Sequence, residues 1–148
     1  DVYKRQVEQA YVQILLARSI PVFNLQEKSS VESNDIIYQT VSYIAKHFKE
    51  EMSLEKMARD MGVSQFTLSR VFSGTFHRNF NQYLNEQRLN YVCVHLECTD
   101  KSITDISMDA GFESQRTFNR VFRERYKMTP REYRNLYREK FVLQNEII

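Results

Sequence analysis

The feature that most restricts what this chain can fold into is an internal repeat. SLEKMARDMGV at residues 53–63 aligns with SITDISMDAGF at 102–112 at an offset of 49, and LSRVF at 68–72 aligns with FNRVF at 118–122 at an offset of 50. One residue is therefore inserted in the turn of the second copy. The correspondence continues into NFNQY at 79–83 and TPREY at 129–133. Self-similarity at a period of about 50 residues means that one supersecondary unit is used twice, so a physical role assigned to a position in one copy can be checked against its partner.

Each copy reads as a helix, a short glycine turn and a second helix. In the first, Ser53 caps a helix carrying Leu54, Met57, Ala58 and Met61, Gly62 supplies the turn, and Ser64 caps the next helix. Ser102, Ile103, Ile106, Gly111 and Ser114 repeat the pattern. A further helix opens after each pair with a capping box, Asn79-x-x-Gln82 and Thr129-x-x-Glu132, the latter with Pro130 in the first helical position. A leading helix over roughly 36–49 precedes the first copy, and a long helix over about 80–96 joins the two. With only two Pro and three Gly in 148 residues, the expected fold class is all-α: two tandem helix-turn-helix subdomains, about seven helices, joined by a long linker helix.

Upstream, VEQAYVQILLARSI at 7–20 has helical spacing and stops before Pro21, and the Ser-rich segment that follows is polar and aperiodic. The expected organisation is thus a tail helix of a truncated upstream domain plus linker over 1–35, the tandem domain over 36–140, and a C-terminal tail over 141–148. No apolar run reaches the roughly 18 residues of a membrane span, and the N-terminus has no cleavable signal pattern. A cytoplasmic protein with no membrane partner is expected. Cys93 and Cys98, five apart on one helix, point to different faces and suit neither a disulfide nor a zinc site.

The net charge of +2 conceals an asymmetry. Residues 1–35 carry four Lys and Arg against five Asp and Glu, and residues 36–140 carry seventeen against thirteen, giving −1 and +4. Between Glu113 and Lys140 the balance is nine against four, or +5, as a surface facing phosphate requires.

On the second helix of copy one, Leu68, Val71, Phe72 and Thr75 share a core face, leaving Phe66, Ser69, Arg70 and Ser73 outside. In copy two the core face is Phe118, Val121, Phe122 and Tyr126, and Arg116, Asn119, Arg120 and Arg123 lie outside. A helix-turn-helix places its second helix in the major groove of double-stranded DNA. There Arg reaches guanine O6 and N7, Asn or Gln pairs with adenine, and an apolar side chain meets a thymine methyl. Arg70, Arg120, Asn119, Gln115 and Phe66 supply that repertoire, although Phe66 could instead pack against the linker helix. Ser64, Ser114, Arg123, Arg125 and Arg131 are placed for phosphate, which sets register without specifying sequence.

GFESQRTFNRVFRERYKMTPREYR at 111–134 resembles the signature segment of the AraC/XylS regulators, and the likeness covers about 36–138. The resemblance implies two recognition helices in successive major grooves, activation through RNA polymerase, and dimerisation or ligand sensing in an N-terminal domain. Carried over by motif position, it implies base reading by Phe66, Ser69 and Arg70, then Gln115, Arg116, Asn119 and Arg120. The family usually has Gly where this chain has His77 and Lys127, which costs about 1 kcal/mol at each if the backbone stays left-handed and otherwise gives a differently shaped turn. Its linker-helix motif appears as Arg88-Leu89 with Val92, His95 and Leu96. A helical protein-interaction module on the same fold is the competing reading, which an acidic outer face would have favoured. No cofactor, metal site or catalytic residue is expected: the chain has no phosphate loop or metal-ligand cluster, and His47, His77 and His95 lie far apart without paired ligands.

Overall fold

The computed structural model describes residues 31–145, with side chains over 35–140. Its elements are seven helices: α1 (Val31–His47), α2 (Leu54–Met61), α3 (Gln65–Thr75), α4 (Phe80–Cys98), α5 (Ile103–Asp109), α6 (Gln115–Tyr126) and α7 (Pro130–Asn145). No strand occurs among the described residues, so the all-α tandem architecture holds. The helix expected over 7–20 lies outside the described residues. Helix α1 is already formed at Val31, inside the stretch read as linker, and α7 continues to Asn145.

Side-chain caps set most of the boundaries. The Ser53, Ser64, Ser102 and Ser114 hydroxyls each accept from the backbone N–H three residues on, at 3.0 to 3.2 Å. Asn79 and Gln82 form a reciprocal box at the start of α4, and Thr129 and Glu132 form its counterpart at α7. Gly62 closes α2 with φ +68°, and the Val63 N–H reaches back to Ala58 O at 3.0 Å.

Two separate cores lie along the chain. Ile44, Met57, Ala58, Leu68, Phe72, Phe80 and Leu84 fill the first, while Leu89, Val92, Leu96, Ile106, Phe112, Phe118, Phe122 and Tyr133 are among those that fill the second. Helix α4 therefore divides its work: its first turns complete unit one and the rest found unit two. Equivalent rings anchor each core, Phe72 meeting the Tyr83 ring at 5.6 Å and Phe122 lying edge-on to Tyr133 at 5.5 Å. Each such pair adds about 0.5–1.5 kcal/mol beyond the area it buries. Tyr43 of α1 donates to Asp60 of α2 at 2.6 Å, and burial together with that bond pushes its phenol up to about 12.

His77 and Lys127 both have positive φ, +53° and +59°. The turns after α3 and α6 thus keep the left-handed conformation that glycine would give them instead of reshaping, with Lys127 N–H capping α6 through Arg123 O at 2.9 Å.

Candidate nucleic-acid interface

Helices α3 and α6 each follow a short helix, a tight turn and a serine cap, which is the arrangement that presents one face outward. Burial divides the two helices as the 3.6-residue period requires. Leu68 and Phe72 are buried on α3, with Val71 and Thr75 half-buried beside them; Phe118, Val121 and Phe122 are buried on α6, with Tyr126 half-buried. Phe66, Ser69, Arg70 and Ser73 are exposed, as are Arg116, Asn119, Arg120 and Arg123. Arg70 and Arg120 thus stand at the same place on two equivalent outer faces.

Their surroundings differ. Phe66 is 71 % exposed rather than packed against α4, and the Arg70 guanidinium lies over its ring at 5.7 Å. Arg120 instead pairs with Glu124 one turn on, at 3.1 Å. An exposed pair four residues apart on a helix is worth only about 0.3–0.5 kcal/mol, so a base edge can displace it.

Gln115 departs from its expected orientation. It is half-buried, and its amide nitrogen donates to the Oγ of buried Ser107 on α5, leaving that nitrogen committed to holding the two helices of unit two together. The Ser64 and Ser114 hydroxyls are engaged as caps and also bonded to Thr67 and Thr117. Arg123 and Arg125 are exposed in the last turn of α6, where their charge also complements the helix dipole, and Arg131 is exposed in the first turn of α7.

Not all of the positive block between Glu113 and Lys140 is available to phosphate. Arg134 Nη2 donates to Lys101 O at 2.7 Å, and Arg138 Nη2 donates to Thr99 O at 3.1 Å and to the Asp100 carboxylate. Both arginines therefore fasten α7 to the exit of α4. Composition could not separate these from the outward arginines, because their partners lie 33 to 39 residues away. A cleft between the start of α2, the outer face of α3 and the start of α4 brings Ser69 and Ser73 together with His77, Arg78 and Asn81. Of the last three, the sequence marked His77 as a turn position, and for Arg78 and Asn81 its only signal was the capping box at the start of α4.

Among the described residues no three His, Cys, Asp or Glu side chains come together to hold a metal ion, and no helix is long and apolar enough to cross a membrane.

Residues 57–136 match the model of a helix-turn-helix domain family. Regulatory protein SoxS of Escherichia coli (strain K12) is 35 % identical over 100 residues, which span 68 % of this chain and 94 % of SoxS. An AraC-type transcriptional regulator structure from Chromobacterium violaceum superposes with a TM-score of 0.65 at 31 % identity, covering 71 % of this chain and 94 % of that one. The DNA-binding domain of the global transcriptional factor AdpA, solved in complex with a target DNA, superposes with a TM-score of 0.66 at 26 % identity, covering 70 % and 94 %.

Proposed function

Since this chain belongs to the AraC/XylS family of DNA-binding transcription regulators, we propose that it reads a two-part operator by placing α3 and α6 in successive major-groove segments of one DNA face, and that it acts as an activator. The observation that carries this reading is the duplicated outer face: Arg70 and Arg120, both exposed, occupy equivalent positions on the second helices of the two units. Basic approach comes first. Exposed Arg123, Arg125 and Arg131 neutralise phosphates and release counterions, and the serine-capped starts of α3 and α6 set the register.

Base reading follows from the side chains left over. Arg70 and Arg120 present bidentate donors suited to guanine, Asn119 suits adenine, and Phe66 offers an apolar face to a thymine methyl. Ser69 and Arg116 flank them on the same faces. Gln115 contributes through its amide oxygen, or through its nitrogen after exchanging the Ser107 bond. One chain holds both reading heads, so two half-sites about 10 bp apart need no second subunit. Contact with RNA polymerase, and dimerisation through an N-terminal domain, complete the proposed mode of action.

The deciding experiment is selection of bound duplexes from a random pool with the purified chain at about 150 mM salt. Two short enriched half-sites one DNA turn apart are expected. No enrichment, with tight capture of a protein instead, would turn the assignment to a partner-binding module on this fold.

A further inference from the structure

Arg88 is the largest polar side chain buried among the described residues, 8 % exposed in the middle of the linker helix, and nothing in base or phosphate recognition uses it. Its guanidinium donates to two carbonyls just past the end of α1, Phe48 O at 2.8 Å through Nε and Glu50 O at 2.9 Å through Nη2. The repeat explains the placement. Fifty residues on, Arg138 of α7 donates to Thr99 O just past the end of α4. In both units the helix that follows the recognition helix sends back an arginine to close the exit of the helix that precedes it.

The two clamps differ in what lies over them. Arg138 is 45 % exposed, whereas Arg88 is roofed by the turn of unit two, with Phe112 at 5.8 Å from its guanidinium carbon. The same turn comes close to that exit: a Cβ on Gly111, whose φ is +94°, would stand 2.7 Å from Lys49 O and 2.8 Å from Phe48 O, the latter one of the two carbonyls that Arg88 holds. Phe48 also meets the Tyr91 ring of α4 at 5.8 Å, and Lys49 Nζ lies 4.2 Å from the centre of that ring. Phe48, Lys49 and Arg88 therefore meet Gly111 and Phe112 of unit two's turn, with no room for a Cβ at Gly111.

We propose that this joint, the α1 exit clamped by Arg88 and roofed by Gly111 and Phe112, fixes the angle between the two recognition helices and thereby the half-site spacing the protein accepts. The inference rests on the tandem reading proposed above. One base pair added between half-sites displaces the second by about 3.4 Å along the axis and turns it by about 35°. A rigid joint cannot follow that rotation; a loosened one can. Arg88 is thus a positioning residue, acting through the exit of α1 and never on DNA.

The test uses the selected operator at its native spacing and with one base pair inserted or deleted, alongside duplexes carrying a single half-site. The wild-type chain is expected to prefer the native spacing by about tenfold or more, the order of one mismatched base pair. Arg88→Gln and Gly111→Ala should flatten that preference to within about threefold while single half-site binding changes by less than about twofold. Arg138→Gln, which removes the equivalent bond at a side chain that is 45 % exposed, should keep the wild-type preference. Should Arg88→Gln fail to fold by circular dichroism, Tyr91→Leu, which removes the ring contacts to Phe48 and Lys49, carries the same comparison. A folded Arg88→Gln with undiminished spacing preference, or an Arg138→Gln that flattens it equally, overturns the joint while leaving the DNA reading in place. Absence of any tandem motif in the selection overturns both.

Discussion

The two helix-turn-helix units share a core and differ on their outer faces. Leu68 and Phe72 in unit one match Phe118 and Phe122 in unit two, all fully buried or nearly so. Outside, α3 carries one charged residue, Arg70, whereas α6 carries Arg116, Arg120, Arg123 and Arg125 with Glu124. Packing explains the contrast. A core position must fill a volume set by its neighbours on every side, so duplication conserves it. An outward position answers only to solvent and ligand and is free to diverge, which makes the difference between the two faces the place to look for a division of labour. Unit one presents an aromatic ring and small hydroxyls suited to close base contact. Unit two presents the larger positive charge, which on the proposed reading anchors the chain to phosphate.

Several substitutions can break or sharpen that comparison. The largest effect should come from the cores: Phe72→Ala and Phe122→Ala should each destabilise the fold by about 3–5 kcal/mol, read by urea denaturation. Because α4 enters both cores, either variant should still unfold in one transition, and two resolved transitions would show that the units are independent. Next come the paired arginines. Arg70→Ala and Arg120→Ala should each cost about 1–3 kcal/mol on the cognate site and relax the sequence preference at one base position. Equal loss on cognate and scrambled DNA would reassign that arginine to phosphate.

The anchoring role has its own signature. Affinity should fall steeply between 50 and 200 mM salt, and Arg123→Ala should lower the slope of log affinity against log salt by about 1, while Ser73→Ala, at the equivalent position of unit one, should leave it unchanged. A flat salt response would be incompatible with electrostatic approach. Smaller still, His77→Gly and Lys127→Gly should each raise stability by up to about 1 kcal/mol, since both residues hold left-handed backbone that a Cβ disfavours.

The smallest expected difference lies between the two capping boxes. The backbone N–H and hydroxyl of Thr129 hold the Glu132 carboxylate below its ordinary value of 4.5, while the equivalent Gln82 does not titrate. A depressed carboxylate stabilises the fold above the unfolded value and loses that contribution as pH falls through the folded one. The melting temperatures of wild type and Glu132→Gln should therefore draw together as pH falls below 4.5 and separate above it, whereas Gln82→Ala should show a gap that is independent of pH across that range.

Much of this molecule could be read from the chain because its signals are local. A serine cap acts over three residues, a glycine turn over one or two, and the sorting of Leu68 from Arg70 over half a helical turn. Duplication then tested each signal against its partner, which is why the core and outward faces of α3 and α6 stand where they were expected. What escaped was non-local. Gln115 turns inward to reach Ser107, and Arg134 and Arg138 leave the basic surface to hold carbonyls at the exit of α4. The helical state of residues 31–35 was hidden by a Ser-rich composition that elsewhere marks linkers. The positive φ at His77 and Lys127 was left open, because only packing on both sides of a turn can hold such residues left-handed.

By itself, then, the sequence determined the repeat, the helix starts and the residues each recognition helix turns outward, since all of these follow from short-range hydrogen bonds and helical periodicity. Only the tertiary structure decided which of the basic side chains remain free for DNA and how the two units are set against each other. Those outcomes depend on carbonyls, rings and a glycine brought together from positions 48–50, 88–91 and 111–112, and no period in the chain encodes such a meeting.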